Sequence, residues 1–217
     1  MERNIYLLQR IMSQYKFSAI KISFWVVIGT VSVLTAACKS EYHRKVEQEL
    51  SSGIKQDSLF LGISFDMDRQ TFFSHCWELN KKGLLKQGPK NMTIEYKVDE
   101  LDYPAKMYFY PDFHKGRICE MPVTIQYEGW APWNKNLSAD SLQVDVLQLF
   151  KKWYGDDFME IDHPEKGPAY VKVDGNRRIS IFTTNDMNVS VLFTDLLLEE
   201  EVEKLRAEAV RKRRSQK

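Results

Sequence analysis

Glycine (10), proline (7) and cysteine (3) are all scarce in these 217 residues. A collagen-like or low-complexity chain needs far more glycine and proline, and a disulfide scaffold far more cysteine. A packed globular body is expected instead. No charge sign dominates: 31 basic side chains face 30 acidic ones, without the broad positive field of a nucleic-acid binder. No nucleic acid is therefore expected as a partner. The four histidines, His43, His75, His114 and His163, stand apart at no metal-ligand spacing, and no metal is expected. Asp156, Asp157 and Glu160 gather carboxylates after a helix end but do not follow a calcium-loop pattern. Nucleophile-elbow, P-loop and dinucleotide fingerprints are missing, and the sequence names no catalytic residue.

What is present is organised from the amino end. Lys16 and Lys21 precede an uncharged apolar run from Phe24 to Leu34, and the small residues Thr35, Ala36 and Ala37 follow it. A positive flank, a short apolar run and small residues are the parts of an export signal. A spanning helix needs about 20 apolar residues, more than this run supplies. Leu34-Thr35-Ala36-Ala37-Cys38 resembles the lipobox of bacterial lipoproteins, with Thr35 where leucine is usual. That resemblance implies a signal peptide over 1–37 and a diacylglycerol on Cys38, with further acylation of the palmitate kind. It makes the membrane a partner and leaves no other cofactor to expect. Lys39 stands where, in enteric-type bacteria, an aspartate retains lipoproteins in the inner membrane. The resemblance thus implies an outer-membrane anchor with the domain facing the periplasm. Met12 would start a shorter, more conventional leader. The leader through Cys38 takes Arg3, Arg10, Lys16, Lys21 and Glu2 with it, leaving 27 basic and 29 acidic groups.

Residues 38–57 read as lipid anchor and tether, polar and without a sustained apolar face beyond a helical turn through Val46 and Leu50. Fully extended, the tether reaches about 65 Å. The globular part is expected over 58–196. It opens on a short apolar strand, LFLGISF. Asp68 caps a helix over 69–82, whose stripe is Phe72, Phe73, Cys76, Trp77 and Leu79, and Gly83 stops it. Alternation through Met92, Ile94, Tyr96 and Val98 predicts a strand. KMYFYP is the next strand, and a long one follows with Cys119, Met121, Val123, Ile125 and Tyr127 on one face. Ser138 caps a second helix over 139–154, with Leu142, Val146, Leu149, Phe150 and Trp153 as its stripe. Four strands follow, with hairpin turns at Asp174-Gly175 and Asn185-Asp186. Residues 197–217 form a charged helix with glutamates first and arginines last, as the helix dipole favours.

The order is α+β: an antiparallel sheet with two helices on one face, built from tandem helix-plus-meander units, and a C-terminal helix. In element order it resembles β-lactamase inhibitory proteins. The stretches FLGISFDMDRQTFFSHCWELNKKGLL, YFYPDF, YEGWAPWNKNLSADSL and YVKVDGNRRISIF resemble uncharacterised lipoproteins of Bacteroides-type gut bacteria. That resemblance implies a location and no chemistry.

Three sets of site candidates emerge. Cys38 is the lipidation site. Cys76 and Cys119, on apolar faces of a helix and a strand, form a candidate disulfide, the other reading being two buried thiols. Tyr127, Trp130 and Trp133, in a proline-containing loop before a capped helix, form a candidate binding loop for a sugar ring or a protein. Tyr108, Tyr110 and Phe113 make a second aromatic cluster. The basic run Arg211–Arg214 suits anionic lipid or a polyanionic glycan, or only the helix dipole. The function expected is a non-enzymatic binding or interaction module of the cell envelope, partnered by an envelope protein or glycan. The alternative is an envelope hydrolase acting on glycan or peptide.

Overall fold

A computed structural model describes residues 40–89, 92–163 and 167–215. The signal segment, Cys38 and Lys39 lie outside them. The first helix, α1, spans Glu41–Ser51. Residues through Arg44 belong to a first unit, in which the Arg44 amide donates to Ser40 O at 3.2 Å. Everything below concerns the second unit, from Lys45 onward.

Helix α2 (Arg69–Lys81) starts where Asp68 accepts from the Thr71 amide at 2.7 Å. Strands β1 (Leu85–Gln87), β2 (Ile94–Val98), β3 (Ala105–Phe109), β4 (Asp112–His114) and β5 (Arg117–Tyr127) follow. Helix α3 (Ala139–Tyr154), capped by Ser138, leads into β6 (Met159–His163), β7 (Gly167–Asp174), β8 (Arg177–Thr183) and β9 (Asn188–Asp195). Helix α4 (Leu196–Ser215) ends the described chain. The fold is α+β, as expected. All nine strands form one antiparallel sheet in the order β1-β2-β3-β5-β9-β8-β7-β6, with β4 paired to β5. Helices α2 and α3 are each followed by a meander, and the two meanders meet through their last strands, β5 and β9.

One face of the sheet carries the core. Met107 and Phe109 of β3, Met121, Val123 and Ile125 of β5, Val191 and Phe193 of β9, and Ile179 and Ile181 of β8 sit on it in register. Phe72 and Cys76 of α2 and Leu142, Val146, Leu149 and Phe150 of α3 join the same cluster. Both principal helices therefore cover one face, because β-alternation gathers the large apolar side chains of the central strands on that side.

Helix α4 crosses the opposite face along one register row. Arg178, Thr194, Glu120 and Asp112 are neighbours across β8, β9, β5 and β4. Arg178 pairs with Glu199, and Arg206 pairs with Glu120 and Asp112. Seven residues of helix advance about 10.5 Å, and two strand spacings span about 9.6 Å, so the helix and the row match.

The structure changes three expectations about the backbone. The apolar stretch LFLGISF is a tight turn rather than a strand: Ile63 N donates to Phe60 O at 2.9 Å, and Leu61 and Gly62 have φ of 52° and 75°. Such a turn wants glycine at its second centre. Here a Cβ would also meet the His75 ring at 3.2 Å, and that ring hydrogen-bonds Leu61 O. The tether is shorter than composition suggests. Glu49 accepts from the Gly175 amide at 2.9 Å, and Gln56 N donates to Asn176 Oδ1 at 2.7 Å. Gly175 permits this seat: any Cβ there would lie 2.4 Å from Ile54 O. Finally, the register shift between Asp112 and Phe113 pairs Glu120 and Ile118 with successive β4 residues and leaves Cys119 as the bulged residue. Beyond the bulge the alternation flips, so Ile118 and not Cys119 continues the core face.

Candidate binding groove

Strand β5 runs out at Tyr127, and the chain turns through Gly129, whose φ of 75° favours glycine. The Trp130 indole then donates from Nε1 to Asp186 O at 3.0 Å. The Ala139 amide, in the first turn of α3, donates to the same carbonyl at 3.0 Å. Asp186 sits in the β8–β9 turn, which Asn185 shapes by accepting the Met187 and Asn188 amides at 3.0 and 2.9 Å. Two elements named separately from the sequence, the tryptophan loop and the Asn185-Asp186 turn, thus form one structure.

Between them lies a groove of about 640 Å³ lined by Trp130, Pro132, Asn134, Lys135, Asp140 and Asn185, among others. Trp130 is half-buried along its wall. Trp133, between the lining residues Pro132 and Asn134 in the chain, does not itself line the groove and is 85% exposed. Leu137 folds inward and fixes the loop, while Ser138 caps α3 by accepting from the Ser141 amide. An indole face beside amide, ammonium and carboxylate groups can stack on a flat apolar ring and hydrogen-bond its rim.

Tyr127 does not belong to this surface. It is 3% exposed, and its hydroxyl donates to Asp145 at 2.5 Å. Burial, and then the Asp145 carboxylate, push its pKa far above the ordinary tyrosine value. Alternation explains the correction: Tyr127 keeps the inward phase of Val123 and Ile125.

The candidate disulfide is not formed, and Cys76 and Cys119 are both free and buried. Cys76 packs in the core under α2, whereas the bulge turns Cys119 out of that cluster, with Sγ donating to Asp112 O at 3.3 Å. Burial raises both thiols to about 11, helped at Cys119 by Glu120 and Asp112.

A second aromatic surface was hidden by the sequence reading of α2. Trp77, assigned to the core stripe, is 61% exposed, and Phe73 is exposed beside it. Phe73, Trp77, Met92 and Tyr110 line a hollow of about 370 Å³ against β1. Five apolar residues in three turns overfill one helix face, so only the Phe72–Cys76 row reaches the core. The Lys81 ammonium lies 5.8 Å from the Trp77 ring. Of the other cluster, Phe113 packs under the Arg69 guanidinium at 4.5 Å, and Arg69 donates to the Tyr110 hydroxyl at 3.0 Å.

Among the described residues, no group of three His, Cys, Asp or Glu side chains is placed to hold a metal ion. Among them, too, no helix is long and apolar enough to cross a membrane. Comparison of the chain with family models, curated proteins and solved structures finds no match.

Proposed function

We propose that the chain is a lipid-anchored module of the bacterial cell envelope, tied to the outer membrane through Cys38 and facing the periplasm, that binds a glycan at the Trp130–Trp133 groove. The observation that carries the binding reading is the exposed Trp133 in the same loop as an indole pinned to Asp186 O. A sugar ring offers a flat C–H face and a rim of hydroxyls. The groove offers an aromatic face beside Asn134, Lys135, Asp140 and Asn185. Loop 128–138 and turn 184–187 lie at one end of the sheet, and the Asp174–Asn176 turn, on which Glu49 and Gln56 are seated, lies at the other.

The anchor is tested by replacing Cys38 with serine. Labelled fatty acid should no longer be incorporated, and a serine variant that labels and matures normally would contradict the anchor. Binding is tested by co-sedimenting the purified full chain with peptidoglycan sacculi and with immobilised envelope polysaccharide. Retention on either supports the glycan reading; retention on neither, with an envelope protein captured through the loop, points to a protein ligand. The hydrolase reading keeps one supporting observation, since Asp140 and Asp186 both line the groove. Release of reducing ends that Asp140→Asn abolishes would favour it over simple binding.

A further inference from the structure

One flank of α2 faces the β1–β2 hairpin and carries side chains that the core does not use. At 3.6 residues per turn, Cys76, Arg69, Asn80, Phe73 and Trp77 fall within about 100° of arc, beside the Phe72 row. Between this flank and the hairpin lies the hollow of about 370 Å³. Buried Cys76 and Leu85 floor it, and exposed Phe73, Trp77 and Met92 wall it. Tyr110 closes one end, its ring 6.3 Å from that of Phe73. There Arg69 donates to the Tyr110 hydroxyl at 3.0 Å, and its guanidinium lies 4.5 Å over the Phe113 ring. Arg117, Arg177, Arg178 and Arg206 each meet a carboxylate. Among the described residues, Arg69 meets none. Asp112, which shares a neighbouring hollow with it, is held by Arg206. The Tyr110 hydroxyl accepts from Arg69 and keeps its own proton to donate.

We propose that this slot binds a single-chain amphiphile of the fatty-acid class, with its carboxylate on Arg69 and Tyr110 and its alkyl chain along Phe73 and Trp77. It is a second ligand site, separate from the Trp130 groove and independent of the lipid anchor. An apolar slot alone would take any alkyl chain. Charge complementarity selects the head: a guanidinium with no carboxylate of its own, held flat by Phe113, matches a planar anion, and the phenol adds a further donor. The slot selects the tail. Arg69 and Trp77 are eight residues apart on α2, about 12 Å of helix rise, a length that an extended chain fills and a short carboxylate does not. Apolar walls with a few polar groups gathered at one end are the make-up of small-molecule sites.

The test titrates the purified full chain, in phospholipid nanodiscs, with ω-bromoundecanoate, whose bromine quenches a tryptophan it touches. Wild type and variants then share one membrane background. A saturable part of the tryptophan emission should be quenched, and Trp77→Phe should remove that part. Two probes of the same length vary the head: ω-bromoundecanol is neutral and ω-bromoundecyltrimethylammonium is cationic. Both should bind wild type at least about tenfold more weakly than the carboxylate, the worth of one charged hydrogen bond. Arg69→Gln should weaken the carboxylate by the same factor and leave the alcohol unchanged. The series of heads on wild type needs no variant to fold. Quenching that Trp77→Phe leaves intact, or that rises without saturation as in simple partition into the disc, overturns the slot. Equal binding of the carboxylate and the cation, or a carboxylate indifferent to Arg69→Gln, overturns the assigned head. Trp77 emission that follows protein concentration and ignores the carboxylate identifies a second copy as occupant and overturns the proposal.

Discussion

Arg206 grips Glu120 across the sheet, its two guanidinium nitrogens 3.1 and 2.5 Å from the two carboxylate oxygens. The glutamate is buried and the arginine is half-exposed. Removing the arginine therefore strands a buried charge. Arg206→Ala should destabilise by about 1–3 kcal/mol in urea unfolding. An Arg206→Met, Glu120→Leu pair should recover most of the loss. Equal stability of Arg206→Ala and wild type would mean that α4 is not fixed by this pair.

The seat of the incoming chain should respond to acid. Lys45 and then the Gly175 amide hold the Glu49 carboxyl below its usual range. A depressed carboxyl stabilises fully above its unfolded value, about 4.3, and the stabilisation is lost as pH falls through the lower folded value. The Gly175 amide resonance should therefore titrate with a midpoint below about 4.3, and should not titrate this way in Glu49→Gln. A midpoint at the ordinary value would show that the seat is open in solution.

The two thiols should be silent in the native state. At about 11, neither is appreciably thiolate near neutral pH. A native thiol assay should count almost none for Cys76 and Cys119, and two after denaturation without reductant. One fast-reacting thiol would show that burial at the Cys119 bulge is wrong. A disulfide that needs reductant would show that the two separate settings are.

The tryptophans of the two helices should differ in cost. Trp153 packs on Phe150, ring centroids 5.3 Å apart, half-buried beside the core. Trp153→Ala should lose about 2–3 kcal/mol, below the full core-aromatic range. Trp77→Ala should stay within about 0.5 kcal/mol of wild type, as surface changes do. A reversed order in thermal melts would mean that α2 is rotated.

These contrasts mark what the sequence could carry. The α3 stripe was legible because Leu142, Val146, Leu149 and Phe150 repeat at one helical spacing, and Ser138 and Gly155 bound it. The α2 stripe was not, since Phe72, Phe73, Cys76 and Trp77 fit two adjacent rows and only packing chooses between them. Period two placed Val123 and Ile125 correctly but could not show the bulge at Cys119, which depends on the β4 partner. LFLGISF has strand composition, yet the contact of His75 with Leu61 O favours a turn that no local pattern announces. Of the groove, Trp130 and Trp133 were visible as a loop. The junction of Trp130 with Asp186, 56 residues on, was not.

The central claim is that the Trp130–Trp133 groove is a ligand surface and not a plug for the core. The most direct measurement pairs a thermal melt with sacculus and polysaccharide retention for Trp133→Ala and for Trp130→Ala, Trp133→Ala. Trp133→Ala should melt within a degree or two of wild type and lose most retention. The double variant should lose slightly more stability, because the bond to Asp186 O goes with it, and should retain nothing. Full retention by a folded double variant, or a loss of binding that only follows a large drop in melting temperature, would contradict the account.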